Sequence, residues 1–312
     1  MSDTPIRIAT RGSPLALAQA NEVAARLRAA HGLPEHMTEV AVFHTTGDRI
    51  QDRALSEAGG KGLFTKEIED ALLDGRADVA VHSAKDMPTV LPDGLVLAAF
   101  LEREDVRDAF LSRIARSFRE LPDWAIVGTA SLRRQALVRR IRPDLKVVTL
   151  RGNVQTRVRK LEAGQVHATL LALAGLKRLG AADEATAILP IEDFPPALGQ
   201  GAIAVETRAG DDRVNALVAA IDHAPTAAAL ACERAFLTVL DGSCRTPIAG
   251  HARIENGRLR FRGLVLSPDG AREFEAAGEG APKDAVEIGR AAGEEIVARA
   301  GADFLAALRA VS

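Results

Sequence analysis

The stretch Val79-Ala80-Val81-His82-Ser83-Ala84-Lys85-Asp86-Met87-Pro88 decides the fold. Residues 78–82 predict a short buried strand, because the run is apolar and rich in valine. Pro88 cannot continue a regular element, so Lys85 and Asp86 follow the carboxyl end of that strand. Ligands of open α/β sheets bind at this edge. A solvated turn with a Lys-Asp pair is the alternative interpretation.

Length and composition indicate a globular protein with several cores. The 312 residues predict two or three domains, and 47% of them are hydrophobic and 26% charged. Residues 1–11 lack the apolar core of a signal peptide, and no apolar run has the length of a membrane span. Two cysteines do not make a disulfide framework. We therefore expect a cytoplasmic protein without membrane association, and the seven histidines show no spacing typical of a metal site.

The chain predicts two units in which strands alternate with helices. Strands are predicted at 6–10, 39–44, 78–82 and 95–100, and then at 126–128, 146–150 and 168–173. This alternation predicts parallel sheets with helical crossovers. Ser13 is the predicted N-cap of the first helix, with Pro14 at its first position. The charged run 102–107 and the Gly-rich turn 197–201 are candidate crossings between the units.

The C-terminal part has a different character. A helix is predicted at 226–240, and Asn256-Gly257 is a strong hairpin signal between strands at 247–254 and 258–266. A last helix is predicted at about 283–300. These elements predict a small α+β domain.

Positive charge is concentrated in residues 125–180, where twelve lysines and arginines stand against two acidic residues in a chain whose net charge is −2. Such asymmetry indicates an anionic partner. Four arginines each come near a strand's carboxyl end and a helix's amino end, where anions bind: Arg11, Arg133, Arg134 and Arg151. We interpret Arg139, Arg140, Arg142 and Arg159 as surface residues.

The chain lacks the features of a nucleic-acid or nucleotide site. No aromatic residue lies between Trp124 and Phe194, so the basic segment has no platform for base stacking. The stretch 59–62 resembles a phosphate loop but lacks its upstream glycine and its Ser or Thr. We expect no nucleic acid partner and neither ATP nor NAD.

The two cysteines have different settings. Cys232 shares a predicted helix face with Phe236 and Val239, which indicates a buried core thiol. Cys244 lies in a polar, Gly-bearing loop beside Arg245, a cation that lowers a thiol pKa. The sequence leaves open whether Cys244 is functional or incidental.

Several motifs resemble the porphobilinogen deaminase (hydroxymethylbilane synthase) family, in the same order along the chain. They are residues 7–16 (RIATRGSPLA), 59–64 (GGKGLF), 80–86 (AVHSAKD), 128–134 (GTASLRR), 150–153 (LRGN) and 198–201 (LGQG). The resemblance implies an α/β fold with two periplasmic-binding-protein-like domains and a small α+β C-terminal domain. The expected boundaries are 1–101 with 201–222, 102–200, and 223–312.

The resemblance also implies an activity, EC 2.5.1.61, and a cofactor. Family members add porphobilinogen units, with loss of ammonia, to a dipyrromethane attached to a cysteine, and release the linear tetrapyrrole with water. Because porphobilinogen carries acetate and propionate groups, an arginine-rich segment suits the growing chain. A carboxylate near the pyrrole nitrogens would stabilise the cation that ammonia loss creates.

Roles follow for residues that match family positions. Asp86 matches the catalytic aspartate, and Cys244 the attachment residue. Positions that hold the cofactor correspond to Ser83, Lys85, Thr129, Ser131, Arg133, Arg134, Asp48 and Gln200. Positions that contact substrate correspond to Arg11, Ser13, Lys61, Phe64, Arg151, Arg157 and Arg178. We expect a monomer whose partner is porphobilinogen, a small molecule.

The chain departs from the family pattern around the cysteine, where Ser243 and Arg245 replace the usual Gly and Gln. This departure affects the expected geometry of attachment. Two other functions remain: a non-catalytic anion-binding protein, which leaves Asp86 and Cys244 unexplained, and a nucleic-acid binder, which explains only the charge.

Overall fold

The computed structural model of the chain describes residues 4–49, 65–240 and 246–310. Its strands are β1 (Ile6–Arg11), β2 (Thr38–Phe43), β3 (Val79–Ser83), β4 (Leu95–Phe100), β5 (Asp108–Ser112), β6 (Ile126–Gly128), β7 (Lys146–Val148), β8 (Ala168–Ala172), β9 (Ala187–Ile188), β10 (Ile203–Arg208), β11 (Ile248–Glu255), β12 (Arg258–Leu266) and β13 (Glu273–Gly280). Its α-helices are α1 (Pro14–His31), α2 (Thr46–Arg49), α3 (Lys66–Leu73), α4 (Leu132–Ile141), α5 (Val154–Glu162), α6 (Leu173–Arg178), α7 (Asp212–Ala219), α8 (Ala224–Val239), α9 (Ala285–Ala300) and α10 (Ala302–Ala310).

The chain forms two compact units. Unit 1 comprises residues 1–104 and 201–227, and unit 2 comprises residues 105–200 and 228–312. The chain therefore leaves unit 1, returns to it, and enters unit 2 again inside helix α8.

Unit 1 is built on a mixed five-stranded sheet with the order β2-β1-β3-β10-β4. Helix α1 covers one face, where Ile8, Val23, Leu27 and Val81 share one core. Helix α3 belongs to a second core in which Ile68 and Leu72 join alternate strand residues. Because strand side chains alternate between faces, both faces of β3 are buried, as its apolar run predicts.

Unit 2 contains a second mixed sheet, β7-β6-β8-β5-β9, and an antiparallel sheet, β11-β12-β13. The two sheets share a core, because Ala249 and Leu264 pack in the same cluster as Phe110 and Leu137. The predicted hairpin turn is confirmed: Asn256 and Gly257 have φ of 51° and 74°, as a type I′ turn requires. The α/β fold with a small α+β C-terminal part is confirmed.

The expectation of purely parallel sheets is wrong for two strands. β1 runs parallel to β2 and β3, and β6 runs parallel to β7 and β8. β10 and β5, however, are antiparallel to their neighbours. Each begins at the edge where a parallel strand ends, because Ile203 pairs with Ser83 and Asp108 pairs with Ala172. A strand that begins at that edge has to run antiparallel to the strand that ends there.

Among the described helices, none alone is both long and apolar enough to cross a membrane. The bent pair of α7 and α8 together has the length and apolar composition of a span, and length and composition are the only features that suggest one.

Candidate active site

The carboxyl edge of the unit 1 sheet carries predicted site residues from two strands. β1 and β3 are parallel neighbours, so their carboxyl ends meet at one edge. β1 ends at Arg11, and Ser13 follows it. β3 ends at Ser83, which Lys85 and Asp86 follow. The structure therefore brings these five residues to the same edge of unit 1.

Ser13 begins helix α1 as predicted. Its Oγ accepts a hydrogen bond from the backbone N–H of Ala16 at 3.2 Å, and Pro14 occupies the first helical position. Gln19, one turn further, is buried, and its Nε2 donates to Oγ of Ser83 at 3.0 Å. This hydrogen bond ties α1 to the end of β3. Nothing in the local sequence around Gln19 indicates this contact.

Asp86 lies on a single 3-10 turn, Ala84–Asp86, that follows β3 directly. The turn is fixed by its backbone, since the N–H of Ala84 donates to the carbonyl of Ala202 at 3.0 Å. Met87 is buried behind it, whereas Asp86 is exposed. In the part of the chain that the structure describes, no group bonds to the Asp86 carboxylate. The backbone of the turn is therefore fixed at the sheet edge, and among the described residues no cation is bonded to the carboxylate.

A buried polar group lies on the sheet next to this turn. Nε2 of His82 and Oε2 of Glu206 are 3.1 Å apart, and both side chains are almost fully buried. Glu69 of α3 is buried as well. Burial raises the pKa of Glu69, and the charge of Glu206 raises it further. No local pattern in the sequence indicates this group.

The carboxyl edge of the first unit 2 sheet carries the arginines. Thr129, Ser131, Arg133 and Arg134 follow β6, and Arg151 follows the neighbouring β7. The Oγ1 of Thr129 accepts from the N–H of Ser131 at 3.2 Å. Ser131 is the N-cap of α4, and its Oγ accepts from the N–H of Arg134 at 3.4 Å. The edge therefore combines a capped helix amino end with arginine side chains.

Arg133 and Arg134 are buried around an aspartate that the sequence analysis missed. Asp108, the first residue of β5, is fully buried. Its Oδ2 accepts from Nη2 of Arg133 at 2.7 Å, and its Oδ1 from Nη2 of Arg134 at 2.6 Å. Burial alone would raise the pKa of Asp108, but the two guanidinium groups outweigh it and hold that pKa well below its usual range. Its only sequence signal is an acidic residue at the start of an apolar run.

Arg151 and Arg157 flank the amino end of α5. Asn153 caps this helix by accepting from the N–H of Thr156 at 2.9 Å. Gly152 has a φ of 119°, and a Cβ there would lie 2.5 Å from Thr156, so the tight turn needs glycine. Nε of Arg157 donates to the carbonyl of Gly152 at 2.9 Å. Arg178 is the last residue of α6, which follows β8, and it is half-buried.

Gln200 is fully buried at the second crossing. Its Nε2 donates to the carbonyl of Val106 at 2.7 Å and to Oδ1 of Asp108 at 3.0 Å. The preceding Gly199 donates its N–H to Oε2 of the buried Glu233 at 2.6 Å, and Oε1 of Glu233 accepts from the N–H of Ala252 at 2.8 Å. Glu233, which the sequence analysis also missed, thereby links α8 to both the crossing and β11.

The structure does not describe the side chains of four predicted site residues. Lys61, Phe64 and Cys244 lie outside the described ranges, as does the side chain of Asp48. Cys232 is described, and its prediction as a core thiol is confirmed: it is fully buried, and burial with the nearby charge of Glu233 raises its pKa to about 12. Within the described ranges, no group of three or more His, Cys, Asp or Glu side chains is arranged to hold a metal ion.

Comparisons with known proteins agree with the motifs. Residues 6–216 match the family model described as "Porphobilinogen deaminase, dipyromethane cofactor binding domain", and residues 227–298 match its C-terminal domain. The chain is 59% identical over 303 residues to the porphobilinogen deaminase of Nitrobacter hamburgensis. The aligned region covers 97% of this chain and 96% of the relative.

Solved structures give weaker similarities. The methionine-binding protein MetQ has a TM-score of 0.42 at 17% identity, covering 69% of this chain and 89% of that one. A periplasmic substrate-binding protein from Coxiella burnetii has a TM-score of 0.42 at 16% identity, covering 69% and 91%. The family matches decide the assignment: the chain belongs to the porphobilinogen deaminase family and has that family's activity, EC 2.5.1.61, with a dipyrromethane cofactor in tetrapyrrole biosynthesis.

Proposed function

We propose that Asp86 is the catalytic residue of this activity. The observation that carries the proposal is the exposed carboxylate on a backbone-anchored turn at the carboxyl edge of unit 1. A carboxylate on a fixed turn, to which no described cation is bonded, is able to stabilise the positive charge that develops when ammonia leaves porphobilinogen. Lys85 and Ser83, on the same strand end, bind carboxylates of the cofactor.

The arginines of unit 2 fit a ligand that carries several carboxylates. Within the described chain, Nε of Arg133, Nε of Arg134 and Nε of Arg151 have no hydrogen-bond acceptor. Each Nε–H is able to donate a hydrogen bond to a carboxylate oxygen of a ligand. When bound, the dipyrromethane supplies the pyrrole to which the first porphobilinogen is joined. The protein's own part is to orient carboxylates and to balance their charge.

The remaining roles follow the family pattern. Cys244 carries the cofactor covalently; Thr129, Ser131, Arg133, Arg134, Asp48 and Gln200 hold it together with Ser83 and Lys85. Arg11, Ser13, Lys61, Phe64, Arg151, Arg157 and Arg178 contact substrate. The burial and raised pKa of Cys232 support Cys244 as the attachment residue, because a thiolate is needed to form the thioether.

The organisation and setting of the protein are part of the proposal. We propose three domains at 1–101 with 201–222, 102–200, and 223–312. The separate family models for residues 6–216 and 227–298 support the last boundary. The protein acts as a cytoplasmic monomer on porphobilinogen, which the family implies as substrate.

Two aspartates that flank β3 provide the test. Asp86→Asn keeps the shape of the side chain but removes the charge, so turnover should fall by roughly a hundred- to ten-thousand-fold with unchanged stability. Asp78 precedes β3 and accepts from the backbone N–H of Arg7 at 2.9 Å and from its Nη2 at 3.1 Å. Asp78→Asn is the control.

Asp78→Asn should lower the free energy of unfolding by about 1–3 kcal/mol and leave kcat unchanged. Turnover of porphobilinogen and urea unfolding measure the two effects. A loss of turnover under about tenfold in Asp86→Asn would mean that another group stabilises the charge.

A further inference from the structure

Asp108 occupies a central position among the buried arginines of unit 2. It is fully buried at the first position of β5, and its two carboxylate oxygens bond to different arginines: Oδ2 to Arg133 and Oδ1 to Arg134. Gln200 donates a third hydrogen bond to Oδ1 at 3.0 Å. One carboxylate therefore connects β5, helix α4 and the second crossing.

Each guanidinium group is held by a second acceptor. Nη1 of Arg133 donates to the carbonyl of Pro195 at 2.7 Å, and Nη1 of Arg134 donates to the carbonyl of Leu170 at 3.0 Å. Two fixed acceptors define the plane of a guanidinium group, which is rigid. Within the described chain, the Nε–H of each arginine is the donor left without an acceptor.

The charges of this cluster do not cancel. Two guanidinium groups face one carboxylate, so one positive charge remains, and a ligand carboxylate would balance it. Three buried ions are also a poor way to gain stability, because well-packed apolar residues would avoid the cost of desolvating them. The arrangement is better suited to orienting the arginines than to holding unit 2 together.

We propose that Asp108 is a positioning residue, which fixes the guanidinium planes of Arg133 and Arg134 so that both bind carboxylates of the cofactor. The inference rests on the proposed role of these two arginines. In this proposal Asp108, which is fully buried, acts only through the two arginines to which it is bonded.

The main variant is Asp108→Glu, which keeps the charge of the cluster but moves the carboxylate by one methylene. The holoenzyme is purified from cells that make the cofactor, and three quantities are measured: the melting temperature, the fraction carrying the cofactor by intact mass, and kcat/KM. Asp144→Asn is the matched control. Asp144 bonds to Nη2 of Arg142 at 2.6 Å, beyond the far end of the same helix, α4.

We expect Asp108→Glu to melt within a few degrees of the wild type, while its cofactor-carrying fraction falls and kcat/KM drops by roughly tenfold to a hundredfold, as misplaced binding groups cause. Asp144→Asn should change neither the cofactor-carrying fraction nor kcat/KM. Wild-type cofactor loading and kcat/KM in Asp108→Glu would overturn the proposal. Failure of Asp108→Glu to fold would also overturn it, because a role in packing would then explain the residue.

Arg133→Gln and Arg134→Gln separate this inference from the proposed function. If both keep wild-type cofactor loading and kcat/KM, the proposed role of the arginines fails, and the inference fails with it. If both lose loading while Asp108→Glu does not, only the positioning role of Asp108 fails.

Discussion

His82 and Glu206 form a buried pair in unit 1, with Nε2 of His82 3.1 Å from Oε2 of Glu206. The strand register explains the contact. His82 lies opposite Ala204, and Glu206 lies two residues further on the same face of the sheet. Since Ser83 follows His82 directly, the pair fixes the end of β3 from which Lys85 and Asp86 project.

The contribution of this pair is measurable with two variants. Glu206→Ala removes the acceptor, so it should lower the free energy of unfolding by about 1–3 kcal/mol. Glu206→Gln keeps an oxygen that accepts from His82, so its cost should be clearly smaller. Urea unfolding at neutral pH compares them. Equal costs for the two variants would show that the hydrogen bond contributes nothing.

Glu69 predicts a pH dependence. Burial raises its pKa above the ordinary 4.5, so folding favours its protonated form. The contribution of Glu69 to stability is full below the ordinary value of 4.5 and is lost as pH rises through the raised pKa. Glu69→Gln mimics the protonated form and should gain stability over the wild type, more at pH 8 than at pH 5. Urea unfolding at both values tests this, and a difference independent of pH would contradict it.

Arg151 and Arg159 lie on either side of the start of α5 and give a matched comparison. Arg151 is half-buried with an Nε that no described acceptor bonds, whereas Arg159 is exposed and its side chain bonds only to Thr156 among the described residues. Hydrogen bonds to charged groups contribute about 1.5–3 kcal/mol. Arg151→Gln should therefore lower kcat/KM by roughly tenfold or more, chiefly through KM. Arg159→Gln should not. If both variants have wild-type kcat/KM, Arg151 does not bind substrate.

Local signals in the sequence were sufficient for most strands of the two α/β sheets and for the start of α1, whereas the sequence did not predict β5, β9, β13, α7 or α10. Ser13 with Pro14 marked the start of α1, and Asn256-Gly257 marked the hairpin, because each signal acts within a few residues. The sequence also placed the arginines correctly after β6 and β7, since the ends of parallel strands share one edge.

The buried acids escaped prediction because their partners are distant in the chain. Asp108 bonds to arginines 25 and 26 residues away, and Glu206 to a histidine 124 residues away. Burial of such a carboxylate depends on the whole unit and leaves no local pattern. Strand β5 was not predicted at all, and the antiparallel direction of β10 was missed, since an apolar run does not encode which way its strand enters a sheet.

The most direct test of the account is the mass of the purified protein. Protein made in cells with an intact pathway should carry one covalent dipyrromethane, and peptide mapping should place it on Cys244. Cys244→Ala should lose the adduct. Cys232→Ala should keep it, because Cys232 is fully buried and its pKa is raised to about 12. An adduct on Cys232, or wild-type protein without any adduct, would contradict the account.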